Sequence, residues 1–326
     1  MISRRMFLEE GAIMGFGLLC TGLLSGCAGG ASTNNSGDTA QQQSGSSEGT
    51  QAPQASSGGS STASATVESG TDRGYDIADV RGYTFVSGSS MDRGFVVDEA
   101  LNDPSGRTIH FSLYVPDTYN GDIPFALYIA CPGWEGLYFQ GVGANLSEDY
   151  PFEALKYVDD MIVVSTQLDD WESQSARDVI SLTRWLIGAF NIDEERIYLS
   201  GCSGGGETIS LVLGECPELY RRALHTISRW DGDIDKLVQA RTPVYMAIGE
   251  RDDYYGPGPV RESYERIVAA YREEGLSDDE IHELIRLSIK PTNYFTSHGF
   301  NAEASQHSAG GYLFAHDAQI MGWLFQ

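Results

Sequence analysis

Four short runs of this chain are apolar at almost every position: Phe125-Ala126-Leu127-Tyr128-Ile129-Ala130, Met161-Ile162-Val163-Val164, Ile197-Tyr198-Leu199 after Arg196, and Val244-Tyr245-Met246-Ala247-Ile248. A strand with one wet face alternates apolar and polar residues. Runs without alternation suit strands buried on both faces, the condition of a parallel sheet covered by helices. Between the runs, Val179, Leu182, Leu186 and Phe190 recur at helical spacing, and Trp185 and Ile187 widen the stripe, so these residues belong to a core. Further helices are expected from Val260 to about Glu274, stopped by Gly275, and after the cap signal Ser277-Asp278-Asp279-Glu280. Upstream, Gly94 to Glu99 and Thr108 to Val115 flank the turn cluster Asn102-Asp103-Pro104-Ser105-Gly106, which predicts an antiparallel hairpin. The expected class is α/β: a mostly parallel sheet with helices on both faces and an antiparallel N-terminal hairpin. Ligands of such sheets bind beyond the carboxyl ends of the strands.

One of those ends carries Gly201-Cys202-Ser203-Gly204-Gly205, preceded by the strand Arg196 to Leu199 and followed by a helix-compatible stretch, Glu207 to Leu213. G-x-S-x-G alone is a short pattern, but strand, sharp turn and helix in that order is the setting in which a serine is presented as a nucleophile. The backbone N–H of Gly204, at the start of the helix, would then face a developing oxyanion. A serine hydroxyl needs a base to take its proton and a carboxylate to orient that base. Carboxylates follow the strand Pro243 to Ile248 at Glu250, Asp252 and Asp253. Histidines His298, His307 and His316 all follow a presumed last strand within Leu284 to Phe295. His316 adjoins Asp317, a candidate N-cap of a final helix, whereas His307 lies in Gln306-His307-Ser308-Ala309-Gly310-Gly311, expected to be a loop free to reach the sheet edge. His110 and His225 read as structural.

The stretch Asn191 to Gly205, with Ile192-Asp193-Glu194-Glu195-Arg196-Ile197-Tyr198 leading into the elbow, and Cys216-Pro217-Glu218-Leu219-Tyr220 after its helix, resembles secreted esterases of the α/β-hydrolase superfamily. The relatives in question are the polyhydroxybutyrate depolymerase and feruloyl esterase group. Leu113-Tyr114-Val115-Pro116 and Cys131-Pro132-Gly133-Trp134 also occupy places those esterases use, so the resemblance spans about 85 to 326. It implies a Ser-His-Asp triad in which Asp252, by the family's Gly-x-x-Asp turn, is the acid. His307, before its glycines, would be the base. The resemblance also implies a second oxyanion donor in the N–H of Trp134, although Pro132 stands where those esterases carry His. Tyr138, Tyr254 and Tyr255 are candidates for the substrate pocket. The implied reaction is hydrolysis of a small-molecule or polymeric carboxylic ester without cofactor or metal. A prolyl oligopeptidase-like peptidase and a catalytically silent surface-binding lipoprotein are the alternatives.

The N-terminus bears on location. Arg4 and Arg5 precede a mostly apolar stretch from Ala12 to Leu24 that falls short of the roughly 20 residues needed to span a bilayer, and so read as an export signal. Ser3-Arg4-Arg5-Met6-Phe7-Leu8 resembles the twin-arginine motif, and Leu24-Ser25-Gly26-Cys27 resembles a bacterial lipobox with Cys27 as the lipidated residue. The expected layout is a signal over 1–27, a Gly/Ser/Gln-rich tether over 28–74 that is too poor in apolar surface to fold, and a catalytic domain over 75–326. The protein would then sit at the bacterial cell surface, outside the cytoplasm, touching the membrane only through its lipid. A formal charge of −25 with no basic stripe argues against nucleic-acid binding. Beyond the signal, Cys131, Cys202 and Cys216 leave at least one thiol unpaired and read by default as buried small hydrophobes.

Overall fold

The structure is a computed structural model that describes residues 75–326. The expected signal, Cys27 and the tether lie outside the described residues. The strands are β1 (Thr84–Val86), β2 (Ser90–Asp92), β3 (Phe95–Asn102), β4 (Thr108–Tyr114), β5 (Phe125–Cys131), β6 (Met161–Gln167), β7 (Ile192–Cys202), β8 (Arg222–Thr226), β9 (Val244–Gly249) and β10 (Ile285–Lys290). They form one sheet in the order β1-β3-β4-β6-β5-β7-β8-β9-β10, with β2 pairing β3. From β6 to β10 every pairing is parallel, while β1, β3 and β4 join antiparallel at one side. The expected hairpin is β3–β4, joined through Asp103, whose carboxylate accepts the N–H groups of Ser105 and Arg107 and so closes the turn.

The unbroken apolar runs are explained by the two faces. Along β5, Leu127, Ile129 and Cys131 enter one buried layer, while Ala126, Tyr128 and Ala130 enter the other. Helix α2 (Ser173–Ala189), after α1 (Tyr150–Ala154), lays Val179, Leu182, Trp185 and Leu186 on the first face beside α3 (Gly204–Glu215), fulfilling the periodicity of its sequence. Helices α4 (Asp235–Ala240) and α5 (Pro257–Glu273) continue that layer, and Gly275 ends the helical run at φ +85°. Helix α6 (Asp278–Leu284) starts with the capping box expected of Ser277 and Glu280. The opposite face is covered by α7 (Thr292–Ser297), α8 (Gln306–His316) and α9 (Ala318–Leu324) through Phe295, Leu313, Phe314, Ile320 and Leu324. Cys131, Cys202 and Cys216 are all buried and unbridged.

Candidate active site

The main chain turns sharply between β7 and α3. Ser203 sits there at φ +54°, ψ −122°, a conformation costly for any residue with a Cβ and sustained only by surroundings that fix it. Those surroundings are visible: the Ser203 N–H donates to Thr226 O at 3.0 Å, and the Ser228 hydroxyl donates to Ser203 O at 2.6 Å. Close packing compels glycine at 205, where a Cβ would lie 1.9 Å from Cys131 O at the end of β5. As the first residue of α3, Gly204 has no helical partner for its N–H.

Two distant segments meet this serine. Ser203 Oγ lies 2.9 Å from His307 Nε2, and His307 Nδ1 lies 2.9 Å from Asp252 Oδ2. A carboxylate can only accept, so Nδ1 carries the imidazole proton and Nε2 is left to accept from the serine hydroxyl. The Asp252 side chain is fully buried, and its other oxygen accepts the N–H groups of Tyr254, Tyr255 and Gly256 at 3.1, 2.8 and 3.2 Å. The loop after β9 thus wraps around the carboxylate and fixes its direction.

The structure sorts the remaining candidates. Asp253, the neighbour of Asp252, accepts the backbone N–H of His307 at 3.1 Å and the Ser305 hydroxyl at 2.8 Å. Burial opposes its ionisation, but these donors outweigh that effect and hold its carboxyl below the usual range. Glu250 points away, its Oε1 accepting the N–H of Thr292 at the start of α7. His316 bonds Asp149 and Glu153 through its two nitrogens, tying the end of α8 to α1. His298 lies exposed at the end of α7, with its Nδ1–H donated to Tyr294 O. Of the histidines expected to be structural, His110 bonds Asp98, and His225 is buried on β8 with its Nε2 3.0 Å from Arg229 O.

One expectation needs correction. The segment around His307 is helical, not a loop: His307 is the second residue of α8, which begins where Ser305 accepts the N–H of Ser308. The glycines that suggested a loop serve close packing, since a Cβ at Gly310 would lie 2.7 Å from Ile227 Cγ2. Helix α8 therefore approaches the elbow closely and carries His307 on its first turn.

Around the triad, Tyr254 and Tyr255 have ring centroids 5.2 and 5.6 Å from that of His307. Tyr255 donates its hydroxyl to Glu207 Oε1 at 2.5 Å, and Arg229 pairs with the other oxygen at 3.0 Å. Burial raises the pKa of both Glu207 and Tyr255. Trp134 begins a short 3-10 turn after Gly133, and its ring meets Phe139 edge-on at 5.6 Å. Tyr138 stacks on His110, the ring centroids 4.0 Å apart. Two further neighbours come from the loops 147–152 and 171–175, which shape the pocket and whose course the sequence leaves open. The Trp171 ring lies so near Gly204 that a Cβ there would be 2.7 Å from it, and Glu148 accepts the Gly133 N–H at 2.7 Å. Trp171 follows β6 at its carboxyl end, the one signal that could have pointed to it.

Residues 166–257, from the end of β6 through the elbow to the Asp252 loop, match the prolyl oligopeptidase family. No curated protein matches the chain. Among solved structures, a thermostable esterase is 22% identical over 71% of this chain and 62% of its own, with a TM-score of 0.55. The glucuronoyl esterase from Solibacter usitatus is 10% identical over 66% of this chain and 82% of its own, with a TM-score of 0.47. Oligopeptidase B from Leishmania major is 14% identical over 76% of this chain and 38% of its own, with a TM-score of 0.43. The chain thus spans less than two thirds of the length of the esterase it matches at 22% identity. With its sheet order, its serine elbow and its likeness to the thermostable esterase, the chain has the α/β-hydrolase fold, and within that fold its segment 166–257 is similar to the prolyl oligopeptidase family.

Proposed function

We propose that this protein is a serine hydrolase that cleaves carboxylic esters through an acyl-enzyme. The observation that carries the proposal is the continuous chain from Ser203 Oγ through His307 to the buried Asp252, each contact 2.9 Å long. His307 Nε2 takes the hydroxyl proton as Oγ attacks the ester carbonyl, and the imidazolium that forms is stabilised by Asp252. The negative charge on the carbonyl oxygen is met by the Gly204 N–H, helped by the N-terminal dipole of α3, and by the loop at Trp134. His307 then returns its proton to the departing alkoxide, leaving Ser203 acylated. Water, deprotonated by the same nitrogen, releases the acid and restores the serine.

An ester substrate is supported by the likeness to the thermostable esterase. The match of 166–257 to the prolyl oligopeptidase family favours a second reading, a serine peptidase with the same machinery. Labelling of the folded full-length protein with a fluorophosphonate tests both, because absence of an adduct on Ser203 sinks either one. Turnover of p-nitrophenyl acetate against proline-containing peptide substrates then decides between them. The export signal and lipobox also support a cell-surface location through lipidated Cys27. Mass spectrometry of an N-terminal peptide starting at an unmodified residue other than Cys27 would refute the anchor.

A further inference from the structure

Glu148 lies behind the loop that follows β5, and hydrolysis as proposed gives it no task. Its Oε1 accepts the N–H of Gly133 at 2.7 Å. Gly133 is wedged between this carboxylate and the nucleophile: a Cβ there would lie 3.0 Å from Ser203 Cβ, 3.1 Å from Glu148 Oε1 and 3.3 Å from Cys202 O. Trp134, the expected second oxyanion donor, comes next and begins the 3-10 turn whose N-cap is Gly133. The orientation of this peptide segment therefore decides where the loop's donor points. A hydrogen bond from a backbone N–H to a carboxylate is shorter and roughly twice as strong as one between neutral groups. We infer that Glu148 is a positioning residue, which clamps the Gly133 peptide against the Ser203 elbow and so pre-aligns the oxyanion loop before an ester arrives.

The inference rests on the proposed hydrolysis for its kinetic consequence, though not for the contact itself. A fixed donor lowers the barrier because nothing has to reorganise as charge develops, so its alignment belongs in kcat rather than in KM. A carboxylate this close to a developing oxyanion would by itself oppose the reaction. Its surroundings temper that opposition. Facing it are the carboxylates of Glu135 on the 3-10 turn and Asp149 next in the chain. The thiols of Cys202 on β7 and Cys131 on β5, and the phenols of Tyr128 on β5 and Tyr150 on α1, complete the titratable groups around it. The nearby His316 is engaged with Asp149 and Glu153. Burial, with repulsion from Glu135 and Asp149, pushes the Glu148 carboxyl up to about 7. Near neutrality it therefore spends part of its time uncharged, and a neutral carboxyl still offers its carbonyl oxygen to Gly133.

Glu148→Gln keeps an accepting oxygen and loses the titration, whereas Glu148→Ala loses the acceptor. In the full chain acting on p-nitrophenyl acetate, E148A is expected to lower kcat by about 10²-fold, the magnitude of losing one oxyanion donor, with KM within about 3-fold. E148Q is expected to restore kcat to within about 5-fold of wild type, the order left when the accepting oxygen is kept. Wild-type kcat in a folded E148A, or a loss in E148Q as large as in E148A, would overturn the inference. Should E148A not fold, the wild-type protein labelled with nitrogen-15 glycine supplies the test by NMR. The Gly133 amide proton is expected to titrate with a midpoint near 7 and to stop titrating in E148Q. A Gly133 resonance indifferent to pH refutes the clamp. A wild-type protein that neither labels with fluorophosphonate nor turns over ester refutes the hydrolase proposal instead, leaving the NMR titration to judge Glu148.

Discussion

Asp253 accepts the backbone N–H of His307 at 3.1 Å, while Asp252 beside it in sequence holds the ring of that histidine at 2.9 Å. Two adjacent carboxylates thus act on one residue in different ways. Asp252 fixes the tautomer and direction of the imidazole, and Asp253 anchors the first turn of the helix that carries it.

These roles separate by substitution. Asp252→Asn is expected to lower kcat on p-nitrophenyl acetate by about 10⁴-fold, because an amide can present the wrong partner to Nδ1 and reverse the tautomer. Asp253→Asn keeps an accepting oxygen for the His307 N–H and should cost only about 10-fold, through a less firmly held helix end. Equal losses in the two variants would contradict the assignment.

Ile227 and Gly310 set how closely α8 can approach the elbow. Ile227 has φ +43°, an unusual conformation for a β-branched residue, and its side chain fills the space over Gly310. Gly310→Ala should push α8 outward, displacing His307 and lowering kcat by about 10²-fold, since reacting groups misplaced by about 1 Å lose that much. Ile227→Ala in the same chain should recover most of it. A double variant no faster than G310A would refute steric transmission between the two.

Backbone leaves no such escape at the elbow itself. A methyl group at 205 meets the carbonyl of Cys131, which β5 holds in place. Gly205→Ala is expected to destabilise the protein by more than about 3 kcal/mol, beyond ordinary overpacking, or to prevent folding. Thermal unfolding with a wild-type midpoint would disprove this.

The response of stability to acid should be divided between two groups of opposite sign, the buried His225 and the half-buried Glu148. Burial depresses His225 to about 4 from an ordinary 6.5, so below pH 6.5 protons bind the unfolded chain more and stability falls as pH drops toward 4. Glu148, raised to about 7 from 4.5, takes its proton first in the folded state, so its contribution grows as pH falls from 7 to 4.5. Between pH 7 and 5 the two nearly cancel. His225→Gln should therefore gain about 2 kcal/mol relative to wild type on moving from pH 7 to 5, and Glu148→Gln should lose about 2 kcal/mol. Urea unfolding at both pH values checks the signs, and two variants shifting in the same direction would contradict the pairing.

Much of the scaffold was legible because burial on both faces leaves an unmistakable pattern. The runs in β5 and β6 carry no alternation, and both strands are buried along their whole length. Ser203 was legible because its turn must be made of small residues between a strand and a helix. The residues around it were harder. The pair Gly310-Gly311 predicts a loop, but here it records a helix pressed against Ile227, and sequence does not distinguish space needed for a turn from space needed for a neighbour. Asp252 and Asp253 differ only in which atom of His307 each reaches, a matter of tertiary geometry. Glu148 gave no signal, since one acidic residue in a polar loop looks the same whether it faces water or a backbone amide.

His307 follows all ten strands of the sheet in the chain, whereas Ser203 comes seven strands in and Asp252 after nine. During synthesis the serine and its carboxylate are therefore made before the histidine, and the helices that cover the second face of the sheet come after both. On the proposed mechanism the serine has no base until those last helices pack, so that hydrolytic activity itself would certify a finished domain.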